Sequence, residues 1–322
     1  MKYYMAPLEG ITGHIYRTTY AKYFGGIDKY FSPFISPNQK KICRTREKKD
    51  ILPENNAGLY LVPQIMTNQA EMFLQTVEYL QQFGYNEVNL NLGCPAATVV
   101  SRKKGSGFLT EPKKLESFLK EIYEGTNVKI SIKTRIGYES AEEFPILLSI
   151  FNQFPISELI VHPRTREDFY QNTPDMQAFS YAMDHSKNVL CYNGDIFSKE
   201  DYNHLMVQYP SLSSVMLGRG ILQNPAVIAS IKGEKLPKKE TIKEFVTELC
   251  ERYQSELYGE RPVLFKMKEL WHYLIQSFDA DEKIAKKIKK AQRISEYEIT
   301  VKELFSKGYV VADHFYIGKL DN

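Results

Sequence analysis

Glu87-Val88-Asn89-Leu90-Asn91-Leu92-Gly93-Cys94-Pro95 is a short strand that breaks into a polar loop, and the same unit recurs along the chain. The run through Asn91 has strand length, and Gly93 and Pro95 end it. Outward from it, further strands are expected near Tyr3–Ala6, Lys29–Phe31, Gly58–Pro63, Val128–Ile132, Glu158–Val161, Val189–Tyr192 and Ser214–Leu217. Amphipathic helices lie between them. Asn68 is placed to cap a helix with Glu71 in its first turn, Phe73, Val77 and Leu80 on one face, and Gly84 at its end. A second helix starts at Pro112, buries Leu115, Phe118, Leu119 and Ile122, and stops at Gly125. A third follows Ser198, turns Tyr202, Leu205 and Met206 inward, and ends before Pro210. Eight strands alternating with helices are the complement of a closed α/β fold, the (β/α)8 TIM barrel.

Polar and glycine-bearing segments fall at the C-terminal ends of these strands, one after another. They are Ala6-Pro7-Leu8-Glu9-Gly10, Gln64, Asn91 to Pro95, Lys133-Thr134-Arg135, His162-Pro163-Arg164-Thr165, Asn193-Gly194-Asp195 and Gly218-Arg219-Gly220. On a (β/α)8 barrel such ends meet on the face that carries active sites. The last two follow the seventh and eighth strands, where barrels often hold a phosphate on backbone N–H groups, and Arg219 can add a charged fork.

Beyond 233–239 the pattern changes to successive helices rich in Lys, Glu, Leu and aromatic residues, with a strand expected again only at Tyr309–Val311. We therefore expect residues 1–236 to form the barrel and residues 237–322 a smaller, all-helical C-terminal domain.

Composition narrows the function class. With 322 residues, 43% hydrophobic and 25% charged, the chain can bury a core without staples. Its four cysteines form no CxxC pair, so neither a zinc site nor a disulfide framework is indicated, and a reducing cytoplasm is the expected compartment. The start, MKYYMAPLEG, lacks the pattern of a signal peptide, and no apolar run is long enough to span a bilayer. No metal and no membrane partner are expected. A net charge of +3 says little about partners, so any nucleic-acid contact must come from local patches.

Cys94 is the sharpest candidate. Most cysteines in such folds are buried and inert, and Cys43, Cys191 and Cys250 are assigned to that class. Cys94 differs because Gly93 and Pro95 pin it at a strand end, while Gly105-Ser106-Gly107 reads as a flexible lid. A free thiol titrates near ~8.5, so it stays mostly protonated at neutral pH and can donate the proton that saturating a C=C bond requires. Lys133 closes an alternating strand, and a lysine usually reaches solvent. In a barrel mouth it can instead stabilise the anionic ring of a reduced flavin.

These segments resemble the tRNA-dihydrouridine synthases. Met5-Ala6-Pro7-Leu8-Glu9-Gly10, Asn89-Leu90-Asn91-Leu92-Gly93-Cys94-Pro95, Lys133-Thr134-Arg135-Ile136-Gly137, Val161-His162-Pro163-Arg164-Thr165, Asn193-Gly194-Asp195-Ile196 and Met216-Leu217-Gly218-Arg219-Gly220 occur in the family's order. The resemblance implies bound FMN, NADPH as reductant and a uridine of tRNA as substrate. It implies that hydride passes from flavin N5 to C6 and that Cys94 protonates C5, with Asn91 and Arg164 on the substrate. Pro7, Leu8, Gln64, Lys133 and His162 would touch the flavin; Asn193, Asp195, Gly218 and Arg219 would surround its ribityl and phosphate. The chain departs from the family at Pro163, where glycine is common, and at Phe108, where a small residue is commoner. Neither change removes a chemical group.

An RNA surface is expected over Asp281–Arg293. Ile284, Ile288 and Ala291 make an apolar stripe, with Lys283, Lys286, Lys287, Lys289, Lys290 and Arg293 mostly outside it. Lys286, Lys287 and Lys290 are the phosphate contacts we single out, and the protein is expected to act as a monomer. Two other readings fit part of the pattern: an FMN-dependent oxidoreductase of a free pyrimidine such as dihydroorotate, and a non-enzymatic RNA-binding protein on a decayed barrel. The first has no need of the basic helix. The second has no need of Cys94 and Lys133.

Overall fold

The computed structural model describes residues 1–279 and 282–306. The strand expected at Tyr309–Val311 and the start of the basic helix at Asp281 lie outside them. Nine parallel strands are present among the described residues: β1 (Lys2–Met5), β2 (Lys29–Phe31), β3 (Leu61–Val62), β4 (Gln64–Ile65), β5 (Glu87–Leu92), β6 (Lys129–Gly137), β7 (Leu159–Thr165), β8 (Leu190–Tyr192) and β9 (Ser214–Leu217). Their order is β3-β2-β1-β9-β8-β7-β6-β5-β4. β3 and β4 are two halves of one run broken at Pro63, which has no N–H to give a ladder. β3 pairs with β2 and β4 with β5, so the sheet returns on itself as a nearly closed TIM barrel.

The expected strand ends need correction. The third strand begins later than Gly58 and passes Pro63, so Gln64 is a strand residue. β6 runs on past Lys133, its expected last residue, through Arg135, and β7 runs through His162 and Arg164, so these three are strand residues and are not carried on loops. Between Arg135 and Gly137 the β6–β7 register shifts, with His162 and Thr165 as the flanking partners. Pro163 sits in this bulge, where an unpaired residue leaves room for a missing donor. The departure at Pro163 thus has a local structural place.

Two compact units make up the described chain. The first comprises Met1–Pro7, Asp28–Gly194 and Ser211–Met216. Its centre is a cluster of Tyr4, Ala6, Phe31, Val62, Ile160, Cys191 and Met216, drawn from six strands or their ends and all buried. Polar side chains share this interior. Tyr4 Oη and Ser214 Oγ both donate to Glu158 Oε1, at 3.0 and 2.7 Å, while Lys29 Nζ and Tyr60 Oη hold the two oxygens of Glu87. The helix Pro112–Gly125 buries the four expected residues, worth up to roughly 1.5–3 kcal/mol each. Phe108 packs edge-on against Phe118 at 5.3 Å. The helix Ala70–Gln81 buries Phe73, Val77 and Leu80, but its N-cap is Gln69. Asn68 spends its amide on the carbonyls of Arg102 and Lys103, a contact that outcompetes the local cap.

The second unit comprises Leu8–Ile27, Asp195–Pro210 and the described residues from Leu217 onward. In the helix Lys199–Gln208, capped by Ser198 and Asp201, only Leu205 is buried; Tyr202 and Met206 stay partly exposed. The helices Lys239–Glu256, Glu260–Leu274, Glu282–Lys290 and Ile294–Ser306 follow. Trp271 anchors them, donating its indole N–H to Tyr297 Oη at 2.8 Å and packing on Phe278. Ile284, Ile288 and Ala291 are buried as the stripe predicts. No helix of the described residues is long and apolar enough to cross a membrane.

Candidate active site

In β5 the side chains alternate between two faces, so Glu87, Asn89 and Asn91 share one of them. That face carries a run of amide hydrogen bonds. Asn89 Nδ2 donates to Ser131 Oγ at 2.9 Å, Gln64 Nε2 to Asn89 Oδ1 at 2.7 Å, and Asn91 Nδ2 to Gln64 Oε1 at 2.7 Å. Asn91 Oδ1 then accepts from the backbone N–H groups of Gly93 and Cys94, at 3.1 and 3.0 Å. Each amide fixes the orientation of the next, and the run ends on the cysteine's own backbone.

The other side of Cys94 is held from farther along the chain. Its carbonyl accepts from Ser106 N at 3.1 Å and Ser106 Oγ at 2.8 Å. The segment expected to be a flexible lid is instead a 3-10 turn, Gly105–Thr110, with Gly105 to Leu109 buried. Gly105 has φ +55°, and a Cβ there would stand 2.8 Å from the Cys94 carbonyl oxygen. Only glycine permits both the conformation and the approach. Burial raises the Cys94 thiol above its ordinary value, and the opposing pull of Ala96, Arg135 and Lys133 is smaller. The thiol is therefore kept protonated at neutral pH.

Lys133 is the cross-strand partner of Asn91, and Arg135 that of His162. The Lys133 amine makes no hydrogen bond or ion pair among the described residues. Burial first, and Arg135 second, push its pKa down to about 7, although the side chain keeps some contact with solvent. In ligand-free protein the folded state thus binds fewer protons than the unfolded state between about pH 7 and the ordinary lysine value. Stability should rise with pH across that window, and Lys133→Met should flatten the rise. Urea denaturation of both proteins at pH 7 and pH 9 measures this; parallel curves would show that Lys133 is not desolvated.

Arg135 joins the two sides of the site. It donates from Nε to Gly93 O (2.9 Å), from Nη1 to Thr165 O (2.6 Å) and from Nη2 to Phe169 O (2.7 Å). The sequence alone assigns it no role, and its place two residues after Lys133, on the same strand face, is the signal for one. Arg164 is fully buried and gives Nε and Nη2 to the carbonyls of Gln171 and Asn172. Its Nη1 lies 3.1 Å from His162 Nε2. A guanidinium can only donate, so Nε2 accepts and the ring proton sits on Nδ1.

Asn193, also in the first unit, donates its amide to Met216 O at 2.8 Å. Within the second unit, Asp195 Oδ1 pairs with Arg219 Nη2 at 2.5 Å, which orients the guanidinium. Gly220 is required by packing alone, since a Cβ there would collide with the Ile196 carbonyl. Leu8 is locked in a turn in which its N–H donates to Thr12 Oγ1 at 2.7 Å. Lys286, Lys287 and Lys290 are exposed, and with Lys283 they line a groove of about 490 Å³. No group of three or more His, Cys, Asp or Glu among the described residues could hold a metal ion.

A family model described as dihydrouridine synthase (Dus) matches residues 4–308. The chain belongs to the dihydrouridine synthase family. Membership makes it an oxidoreductase, because dihydrouridine is a reduced pyrimidine nucleoside. Among its relatives, a probable tRNA-dihydrouridine synthase of Helicobacter pylori (strain J99) is 28% identical over 278 residues, covering 84% of this chain and 82% of that one. tRNA-dihydrouridine synthase B of Shewanella oneidensis is 24% identical, covering 84% and 86%. Among solved structures, a morphinone reductase mutant in complex with tetrahydroNAD has a TM-score of 0.52 at 11% identity, covering 74% of this chain and 89% of that one. TcOYE with pHBA has a TM-score of 0.53 at 10% identity, covering 74% and 91%. These last two establish the barrel fold.

Proposed function

We propose that this protein is a tRNA-dihydrouridine synthase that reduces the C5=C6 bond of a uridine in tRNA, with FMN as bound cofactor and NADPH as reductant. The observation that carries the reading is Cys94, its backbone fixed by Asn91 and Ser106, one strand away from Lys133, whose amine has no hydrogen-bond or ion-pair partner among the described residues. The hydride that C6 requires would come from reduced FMN. The residues fit such a group: a largely buried amine with no partner among the described residues suits the anionic edge of a reduced flavin ring. Binding such an anion would draw a proton onto Lys133. Cys94 then donates its proton to C5, and Arg135 holds the Gly93 carbonyl so that the donor does not drift. We assign the remaining flavin contacts to Pro7, Leu8, Gln64, His162, Asn193, Asp195 and Gly218, with Arg219 on the phosphate. Gln64 and Asn193 serve chiefly by the order they impose on their neighbours.

Extracting a base from its stack costs on the order of a few kcal/mol, which contacts to the RNA backbone can offset. We assign those contacts to the helix Glu282–Lys290, and substrate positioning to Asn91 and Arg164. The ion pairs Lys286–Glu282 and Lys287–Glu303 are exposed, hence worth roughly 0–1 kcal/mol and readily exchanged for phosphate. Reversing charge at Lys286, Lys287 and Lys290 should weaken tRNA binding and reduce the slope of log affinity against log salt by roughly 0.7–0.9 per lost contact. An unchanged slope removes this helix from the interface.

The function itself is tested by giving the FMN-loaded protein NADPH with unmodified tRNA, free uridine or orotate. Dihydrouridine formation in tRNA alone is the expected result. Turnover of the small molecules alone would favour the free-pyrimidine oxidoreductase and refute this reading.

A further inference from the structure

The segment after β7 exposes two large aromatic rings on a loop that is otherwise tightly fixed. Phe169 is 41% and Tyr170 46% exposed. Phe169 has φ +48° and Asn172 φ +59°, a left-handed backbone that costs bulky residues energy. Three side chains hold it there. Asp168 accepts from Thr165 N and Oγ1, both at 2.8 Å, and from Asn172 Nδ2 at 2.7 Å. Arg135 takes the Phe169 carbonyl, and Arg164 takes those of Gln171 and Asn172. This ordering holds both rings half-exposed, with Tyr170 also stacked on His162 at 6.2 Å.

The rings are also backed by cations. The Arg166 guanidinium carbon lies 4.8 Å from the Phe169 ring centroid and 5.4 Å from that of Tyr138. That of Arg135 lies 5.4 Å from the Tyr170 centroid. Aromatic faces flanked by arginine suit an anionic strand whose bases need a stacking partner, because every base offers a π-face. Arg135 ties this loop directly to the carbonyl preceding Cys94. The loop of the rings and the loop of the thiol share this anchor, which would seat a nucleotide on the rings beside the target base.

We infer that Phe169 and Tyr170 form a stacking platform for a nucleobase adjoining the target uridine, held rigid by Arg135 and Arg164. The inference rests on the RNA-reducing function proposed above. It is tested on FMN-loaded wild type, Phe169→Ala and Phe169→Trp with unmodified tRNA. Phe169→Ala should raise KM for tRNA about tenfold, as loss of one stacked base does, while kcat at saturating tRNA stays within about twofold. Phe169→Trp should keep a wild-type KM. The chain otherwise has a single tryptophan, Trp271, so the new indole reports on its own surroundings, and its emission should fall when tRNA binds. An unchanged KM in Phe169→Ala, or an indole blind to tRNA in Phe169→Trp, overturns the platform while the function stands. Wild-type protein that forms no dihydrouridine in tRNA overturns the function and the platform with it.

Discussion

Cys94→Ala is expected to lose dihydrouridine formation by about 10²–10⁴-fold, the usual contribution of a positioned general acid, while keeping its flavin. The substitution leaves in place what holds the loop, because Asn91 and Ser106 bind the backbone of residue 94 and not its sulfur. What it removes is the proton. Burial lifts the thiol above its ordinary value, so the donor form should persist to higher pH than a free cysteine allows. In wild type the alkaline limb of kcat should therefore lie above the range of a free cysteine, and Cys94→Ala should lack it. Cys94→Ser retains the shape but offers a far weaker acid, and should lie near the alanine variant. Single-turnover assays on tRNA, with the visible spectrum as the check on bound flavin, measure the effect. Undiminished turnover in Cys94→Ala would falsify the proton-donor role.

The legible parts of the chain were those fixed by neighbours in sequence. Pro112 at a helix start and the spacing of Leu115, Phe118, Leu119 and Ile122 predict the buried face of Pro112–Gly125 without tertiary information. The strand ends are less legible, because polarity in sequence marks a loop and a strand interior alike. Arg135, His162 and Arg164 are polar, yet they are themselves buried and belong to β6 and β7. A barrel interior that carries amides and cations in place of aliphatics breaks the equation of polar with exposed. Asn68 shows the other failure. Its sequence context fits a cap, and carbonyls more than thirty residues away claim it first. The clamp of Ser106 on Cys94 is equally nonlocal, so a glycine-rich stretch that reads as mobile proves to be a buried brace. By contrast, the bond from Cys94 N to Asn91 spans three residues and follows the ordinary habit of asparagine in turns.

Asn91→Leu should be the most damaging change that leaves every reacting group in place. It strips the Gly93 and Cys94 N–H groups and the Gln64 amide oxygen of their partner together. An unmade hydrogen bond at a buried group costs roughly 1–3 kcal/mol, and the loop N–H groups can recover part of this from water, so a loss of about 2–4 kcal/mol is expected. Activity should fall further than stability explains, because the loop loses the bond that sets its direction. Asn91→Asp separates the two effects. A carboxylate still accepts from Gly93 and Cys94, but it faces the oxygen of Gln64. That clash is relieved only if Gln64 and Asn89 both turn over and Ser131 donates in place of accepting, giving up its 3.3 Å bond to the Val88 carbonyl. The amides can make that exchange as a set, since each is bonded to the next and the last member is a hydroxyl, which can donate or accept. Asn91→Asp should therefore keep more of its activity than Asn91→Leu while unfolding at lower urea than wild type. If the two variants lose activity equally, the contact of Asn91 with the substrate outweighs its grip on the Cys94 loop.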